Sequence, residues 1–154
     1  MIVSKRQIPD FPIAQDSDLD ELCQRPARPP LLAFVHWGHE YTNTASQSED
    51  LIADRLLDCG VSAIIGAHSH RASTGIEVRH GGAQQVTYSL GNLVFDQNGS
   101  VASGALLELR LFNQGTFATR LLPIANLYDL ARHELVKTRS QNSSGTSSEE
   151  NRED

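Results

Sequence analysis

Val61-Ser62-Ala63-Ile64-Ile65-Gly66-Ala67-His68-Ser69-His70 is a short apolar run that ends in two histidines one residue apart. Bounded by Gly60 and rich in β-branched residues, it predicts a buried strand. In extended backbone, residues i and i+2 project to one face, roughly 6–7 Å apart at Cα. Both imidazoles therefore leave the mouth of the strand on the same side. Upstream, Leu31-Leu32-Ala33-Phe34-Val35 repeats the pattern and runs into His36; it predicts a second strand buried on both faces. Between the two lies the clearest helix of the chain. Ser46-x-x-Glu49 forms a capping box, Ile52, Leu56 and Cys59 mark a core-facing stripe, and Gly60 supplies the stop. Strand, helix and strand within about 35 residues make a βαβ unit with parallel strands, so the fold class is α/β. His36 and His68 then follow the carboxyl ends of parallel strands, where such sheets place their sites.

The flanks are less regular. Residues 1–30 are a polar, proline-rich lead-in with a short helix expected from Asp16 to Cys23, capped by Ser17. Residues 31–128 form the domain. Within it, Thr74–Arg79 and Gln85–Leu90 predict strands joined at His80-Gly81-Gly82. Gly104–Phe112 and Thr116–Leu122 predict a hairpin turning at Asn113-Gln114-Gly115. Leu107, Leu109 and Leu111 would share one face, with Glu108 and Arg110 on the other. Residues 129–154 are a polar, acidic tail, expected to be disordered beyond about residue 137 for want of apolar surface to bury.

Composition excludes several classes. The 154 residues suit one domain, and the net charge of −6 gives no basic footprint for nucleic acid. A phosphate-bearing substrate stays open, because a metal ion can supply local positive charge. The two cysteines, Cys23 and Cys59, have no C-x-x-C spacing, so neither a disulfide framework nor a thiolate zinc site is expected. Cys59 reads as a small apolar residue on the helix face. No run reaches the roughly 18 apolar residues of a membrane span, and the first residues lack a signal-peptide core. As written, the chain reads as cytoplasmic.

Neutral imidazole suits Zn, Mn, Fe or Ni. Two such ions about 3.5–4 Å apart are the usual apparatus for attacking a phosphate ester. An isolated His-x-His is also what two ordinary loop histidines look like; His36, at the end of a second strand, brings the metal reading level with that one. The continuation Arg71-Ala72 excludes a β-lactamase-type His-x-His-x-Asp-His site. Trp37 reads as a packing aromatic under the site. Glu40 is either an outer partner of a ligating imidazole or an exposed loop carboxylate. Asn92 and Asp96 are either site residues or ordinary turn residues, and Arg71 either binds phosphate oxygens or is solvated. His39 reads as facing solvent or the site entrance, and His80 and His133 as surface residues.

Three segments together resemble the capsule-synthesis CapA family, also called the poly-γ-glutamate biosynthesis PgsA/CapA family, within the calcineurin-like metallophosphoesterase superfamily. His36-Trp37-Gly38-His39-Glu40-Tyr41 matches a His-Trp-Gly-x-Glu-Tyr signature. Gly66-Ala67-His68-Ser69-His70 matches Gly-x-His-Pro-His, with serine for proline. Tyr88-Ser89-Leu90-Gly91-Asn92-Leu93-Val94-Phe95-Asp96 matches Tyr-Ser-Leu-Gly-Asn-Phe-x-Phe-Asp, with Leu93 for the first phenylalanine. The resemblance implies that His36, His68 and His70 are metal ligands, with Asn92, Arg71 and Glu40 near the chemistry. The implied cofactors are divalent metal ions, two of Mn, Fe or Zn. It also implies a four-layer α/β/β/α sandwich with mixed sheets, of which this chain would be the C-terminal part, without the family's Gly-Asp and Asn-His segments. The implied partners are a missing N-terminal half or polymer synthase subunits, and the implied location is the cell envelope. Three functions follow as expectations: metal-dependent phosphoester hydrolysis or transfer in capsule or poly-γ-glutamate biosynthesis, a non-catalytic scaffold subunit of a polymer synthesis complex, or an inactive truncated fragment.

Overall fold

The computed structural model describes residues 15–25, 30–93, 103–112 and 115–125. Asp96, the Asn113-Gln114 part of the expected turn, His133 and the polar tail lie outside the described residues. The expected βαβ unit forms: β1 (Leu32–His36), α2 (Gln47–Asp58) and β2 (Ala63–Ala67), preceded by α1 (Asp16–Gln24). Strands β1 and β2 are parallel, with His36 opposite Ala67. Helix α2 starts at the expected box, where the Ser46 N–H donates to Glu49 Oε2 at 2.8 Å and the Glu49 N–H donates to Ser46 Oγ at 3.3 Å. Gly60, at φ +89°, ends it.

Beyond β2 come β3 (Glu77–Arg79), a short 3₁₀ turn (His80–Gly82) and β4 (Gln84–Thr87). Both strands are shorter than their sequence windows. The main sheet has the order β1-β2-β4-β3. β2 and β4 are parallel, and β3 closes one edge antiparallel to β4. α2 covers one face of this sheet: Ala33, Val35, Ile64 and Val86 pack with Ala53, Leu56 and Leu57 of the helix. The hairpin β5 (Ser103–Leu111) and β6 (Phe117–Ala125) forms a second, two-stranded sheet. It joins the first where the Ala105 N–H donates to the Leu90 carbonyl at 2.8 Å and where the Thr119 hydroxyl meets the Gln85 side chain. Glu108 pairs with Arg110 at 2.6 Å and with Arg120 at 2.9 Å, and of the three leucines expected on one face Leu107 and Leu109 are half-buried while Leu111 is exposed. The molecule is thus α/β with a mixed main sheet.

Two expectations are corrected. β1 is not buried on both faces: Phe34 is 57% exposed, while Ala33 and Val35 are buried. The cause is position, since β1 is an edge strand and its second face lies open around Phe34. The fully apolar pattern belongs to β2, buried along four of its five residues.

The cysteines are the second correction. Cys23 and Cys59 form a disulfide with Cα atoms 4.4 Å apart. Leu19 of α1 inserts into the core. Arg55 of α2 pairs with Asp16 at 2.8 Å and with Asp20 at 2.6 Å. These contacts lay α1 against the last turns of α2 and bring the thiols together, which spacing along the chain does not reveal. The cap of α1 is likewise Gln15, not Ser17; its N–H donates to Asp18 Oδ2 at 2.7 Å.

The disulfide closes a separation of 36 residues. Reduction, or the double change Cys23→Ser with Cys59→Ala, is expected to cost about 2–4 kcal/mol. The check is the urea midpoint with and without reductant; an unchanged midpoint would mean that α1 docks without the bond.

Candidate functional site

The three histidines meet at the carboxyl ends of β1 and β2. His36 is the last residue of β1, and His68 and His70 follow β2 directly. The rings of His36 and His68 lie 4.6 Å apart at their centroids, tilted by 52°, and those of His68 and His70 lie 6.2 Å apart. The backbone is forced here. His68 has φ +107°, His70 +59° and Tyr41 +67°, three of the four non-glycine residues with positive φ among those described. Such conformations persist only where their surroundings over-determine them, and they cluster at functional sites.

A second layer of contacts holds this arrangement. His70 Nδ1 lies 2.9 Å from Asn92 Oδ1, and Asn92 is buried. An amide oxygen accepts, so in this pairing Nδ1 is the donor, and a neutral ring so held carries its lone pair on Nε2. Trp37 is buried and its Nε1–H donates to the Tyr88 carbonyl at 3.0 Å, while the two rings stack with centroids 5.7 Å apart. Gly66 is squeezed beneath this pair: a Cβ there would stand 1.9 Å from the Tyr88 carbonyl oxygen. The Ser73 N–H donates to the Ser89 carbonyl at 2.8 Å and pins the loop that follows His70. All three signature segments therefore converge.

Burial, followed by the neighbouring charges of His68 and His70, holds the His36 imidazole below its ordinary pKa. Its neutral form, the one that ligates metals, is favoured. Imidazoles sharing one ion have ring centres roughly 4.5–5.5 Å apart, given metal–nitrogen distances of about 2.0–2.1 Å. The His36–His68 spacing fits one shared ion. The wider His68–His70 spacing suits neighbouring ions about 3.5–4 Å apart. Among the described residues, however, no group of three His, Cys, Asp or Glu side chains is arranged as a ligand set.

The other candidates divide. Arg71 is half-buried beside the pair, its N–H donating to Ser69 Oγ at 3.3 Å. Glu40 is exposed in the loop after β1, as are His39 and His80. Sequence reasoning missed two features. Tyr41 stacks on His70 with centroids 5.7 Å apart and an interplanar angle of 25°. Arg79 ties Asp54 at 2.9 Å, Glu77 at 2.6 Å and Asp50 at 3.3 Å, and donates to the Tyr88 hydroxyl at 3.0 Å. The Tyr88 hydroxyl in turn donates to Asp50. Burial first, then that bond, pushes the Tyr88 phenol above its ordinary pKa. No local pattern announces this network, because its members come from α2, β3 and the segment after β4.

The family model for bacterial capsule synthesis protein PGA_cap matches residues 20–97. Two relatives are similar over part of the chain. The capsule biosynthesis protein CapA of Bacillus anthracis is 33% identical over 91 residues, covering 58% of this chain and 21% of that protein. The PGA biosynthesis protein CapA of Bacillus subtilis (strain 168) is 37% identical over 90 residues, covering 58% of this chain and 23% of that protein. The chain thus spans less than a quarter of the length of either relative.

Two tests address the local geometry. Gly66→Ala places a methyl group on a backbone carbonyl that cannot yield, and is expected to cost about 3 kcal/mol or more by chemical denaturation. A wild-type midpoint would refute the close approach. For Tyr88, folded and unfolded states both hold the proton below about pH 10. Above it, the unfolded state ionises first, so stability falls as pH rises until the folded phenol ionises too. In a spectrophotometric phenolate titration, Tyr88→Phe is expected to remove the step at highest pH.

Proposed function

The chain belongs to the bacterial capsule synthesis family PGA_cap, and on that premise we propose that His36, His68 and His70 supply the imidazole ligands of a divalent-metal centre acting on a phosphoester, by hydrolysis or transfer, in capsule or poly-γ-glutamate biosynthesis. The observation that carries this reading is the convergence of three imidazoles at the carboxyl ends of two parallel strands, with one pair at a spacing that suits a shared ion. Bound ions of the Mn, Fe or Zn kind supply positive charge for phosphoryl oxygens and lower the pKa of water.

The chain's own residues have definable parts. His36 is kept in its neutral form by burial and by its two neighbours. Asn92 holds His70 with its lone pair on Nε2. Arg71, directly after His70, is the guanidinium assigned to phosphate oxygens on this reading, while Arg79 is tied to Asp50, Asp54 and Glu77. Oxygen ligands come, on this reading, from beyond the described residues, from another part of the polypeptide or from a partner. The two touching sheets are read as the middle layers of an α/β/β/α sandwich. The Cys23–Cys59 bond belongs to an oxidising compartment, which supports work at the cell envelope, while no helix among the described residues is long and apolar enough to cross a membrane.

A second reading, a scaffold subunit of a polymer synthesis complex, is favoured by one observation: the open edge of β1 with Phe34 57% exposed. Metal analysis separates the two. The centre predicts binding of Mn, Zn or Fe by the purified chain, weakened in His36→Ala and His68→Ala by more than the roughly 10–100-fold typical of losing an outer partner. It also predicts slow cleavage of an aryl phosphodiester that His36→Ala abolishes. A chain that binds none of these metals, and whose stability is unmoved by His68→Ala, leaves the scaffold reading standing alone.

A further inference from the structure

Tyr41 occupies a place that its own conformational preference opposes. Its φ of +67° lies in the left-handed region, which a bulky aromatic residue rarely enters. Its backbone and its ring both make contacts with the His68–His70 turn. Its N–H donates to the Ser69 carbonyl at 2.6 Å, and its ring lies against that of His70. Burial is not what the ring gains, for Tyr41 is 49% exposed. The contact that distinguishes this position is the imidazole.

His70 is held at its edge by Asn92, through Nδ1 and Oδ1 at 2.9 Å. That hydrogen bond fixes a point on the ring, not its rotation about the line of the bond. A second ring packed on the face removes that rotation, and His70, itself at φ +59°, has little backbone slack left. We propose that Tyr41 is a positioning residue: stacked on His70, it locks the imidazole against Asn92 in the Nδ1–H form, so that Nε2 presents its lone pair. The use of that lone pair for a metal rests on the reading of the histidine cluster given above; the locking itself does not.

Two substitutions isolate the ring from the backbone. Glycine accepts φ +67° without steric cost, so Tyr41→Gly keeps the loop and its N–H bond while removing the ring. Tyr41→Phe keeps the ring and removes only the hydroxyl. Long-range proton–nitrogen correlation spectra of the metal-free chain report which nitrogen of His70 bears the proton, with the resonance identified by its loss in His70→Gln. The wild type and Tyr41→Phe are expected to show the Nδ1–H form, and Tyr41→Gly a mixture of both forms. Titration of the same samples with Mn or Zn should then show Tyr41→Gly about tenfold weaker, the lower end of what losing an outer partner costs. An unchanged His70 pattern in Tyr41→Gly, a pattern in Tyr41→Phe that matches Tyr41→Gly, or an Nε2–H form in the wild type would each overturn the proposal. If no sample binds metal, the metal reading falls while the tautomer comparison still decides the role of Tyr41.

Discussion

Everything at the histidine end of the sheet depends on one crossing, where the Tyr88 carbonyl lies over Gly66 and accepts the Trp37 indole N–H at 3.0 Å. Trp37 continues β1, Gly66 is in β2, and Tyr88 continues β4, so a single acceptor ties together the ends of three adjacent strands. Any side chain at position 66 would lift Tyr88 off the sheet. The Leu90 N–H, which donates to the Gly66 carbonyl at 3.1 Å, would go with it, and so would Asn92 two residues on. The catch for His70 is therefore set by a contact that no histidine makes. The Arg79–Asp50–Tyr88 network works at the other end of the same segment, anchoring the phenol to α2 and β3. Held at ring and carbonyl, the segment after β4 becomes a fixed rail beside the His68–His70 turn.

Much of this was legible in the sequence, and the reasons are local. The capping box Ser46–Glu49 and Gly60 define a helix by short-range bonds alone, and α2 has the expected limits to within a residue or so. Two apolar runs of strand length around that helix leave a parallel βαβ unit as the natural solution. The placement of His36 and His68 at strand ends follows from that unit. What stayed hidden depends on contacts between distant segments. Phe34 looks like a core residue in its own window; only the strand order, which puts β1 at an edge, exposes it. Cys23 and Cys59 carry no spacing signal, and pair because Leu19 and Arg55 dock α1 on α2. Tyr41 was visible as part of a motif, yet its partner is twenty-nine residues away and is reached only through two left-handed turns.

The electrostatics of the cluster constrain what it can hold. Three imidazoles whose neighbouring centroids lie 4.6 and 6.2 Å apart repel one another when protonated, and burial adds to that penalty at His36. At His36 the folded chain thus favours the uncharged ring, which offers a lone pair. A lone pair of that kind is what metal ions take from imidazole, and it is the chemistry on which the proposed centre rests. The best-anchored guanidinium nearby, that of Arg79, has its charge matched by Asp50, Asp54 and Glu77, so it does not offset this preference. Among the described residues, the strand that carries His36 has no partner on its outer edge, and its Phe34 is exposed. A strand added at that edge would therefore lie beside His36, the residue that ends β1.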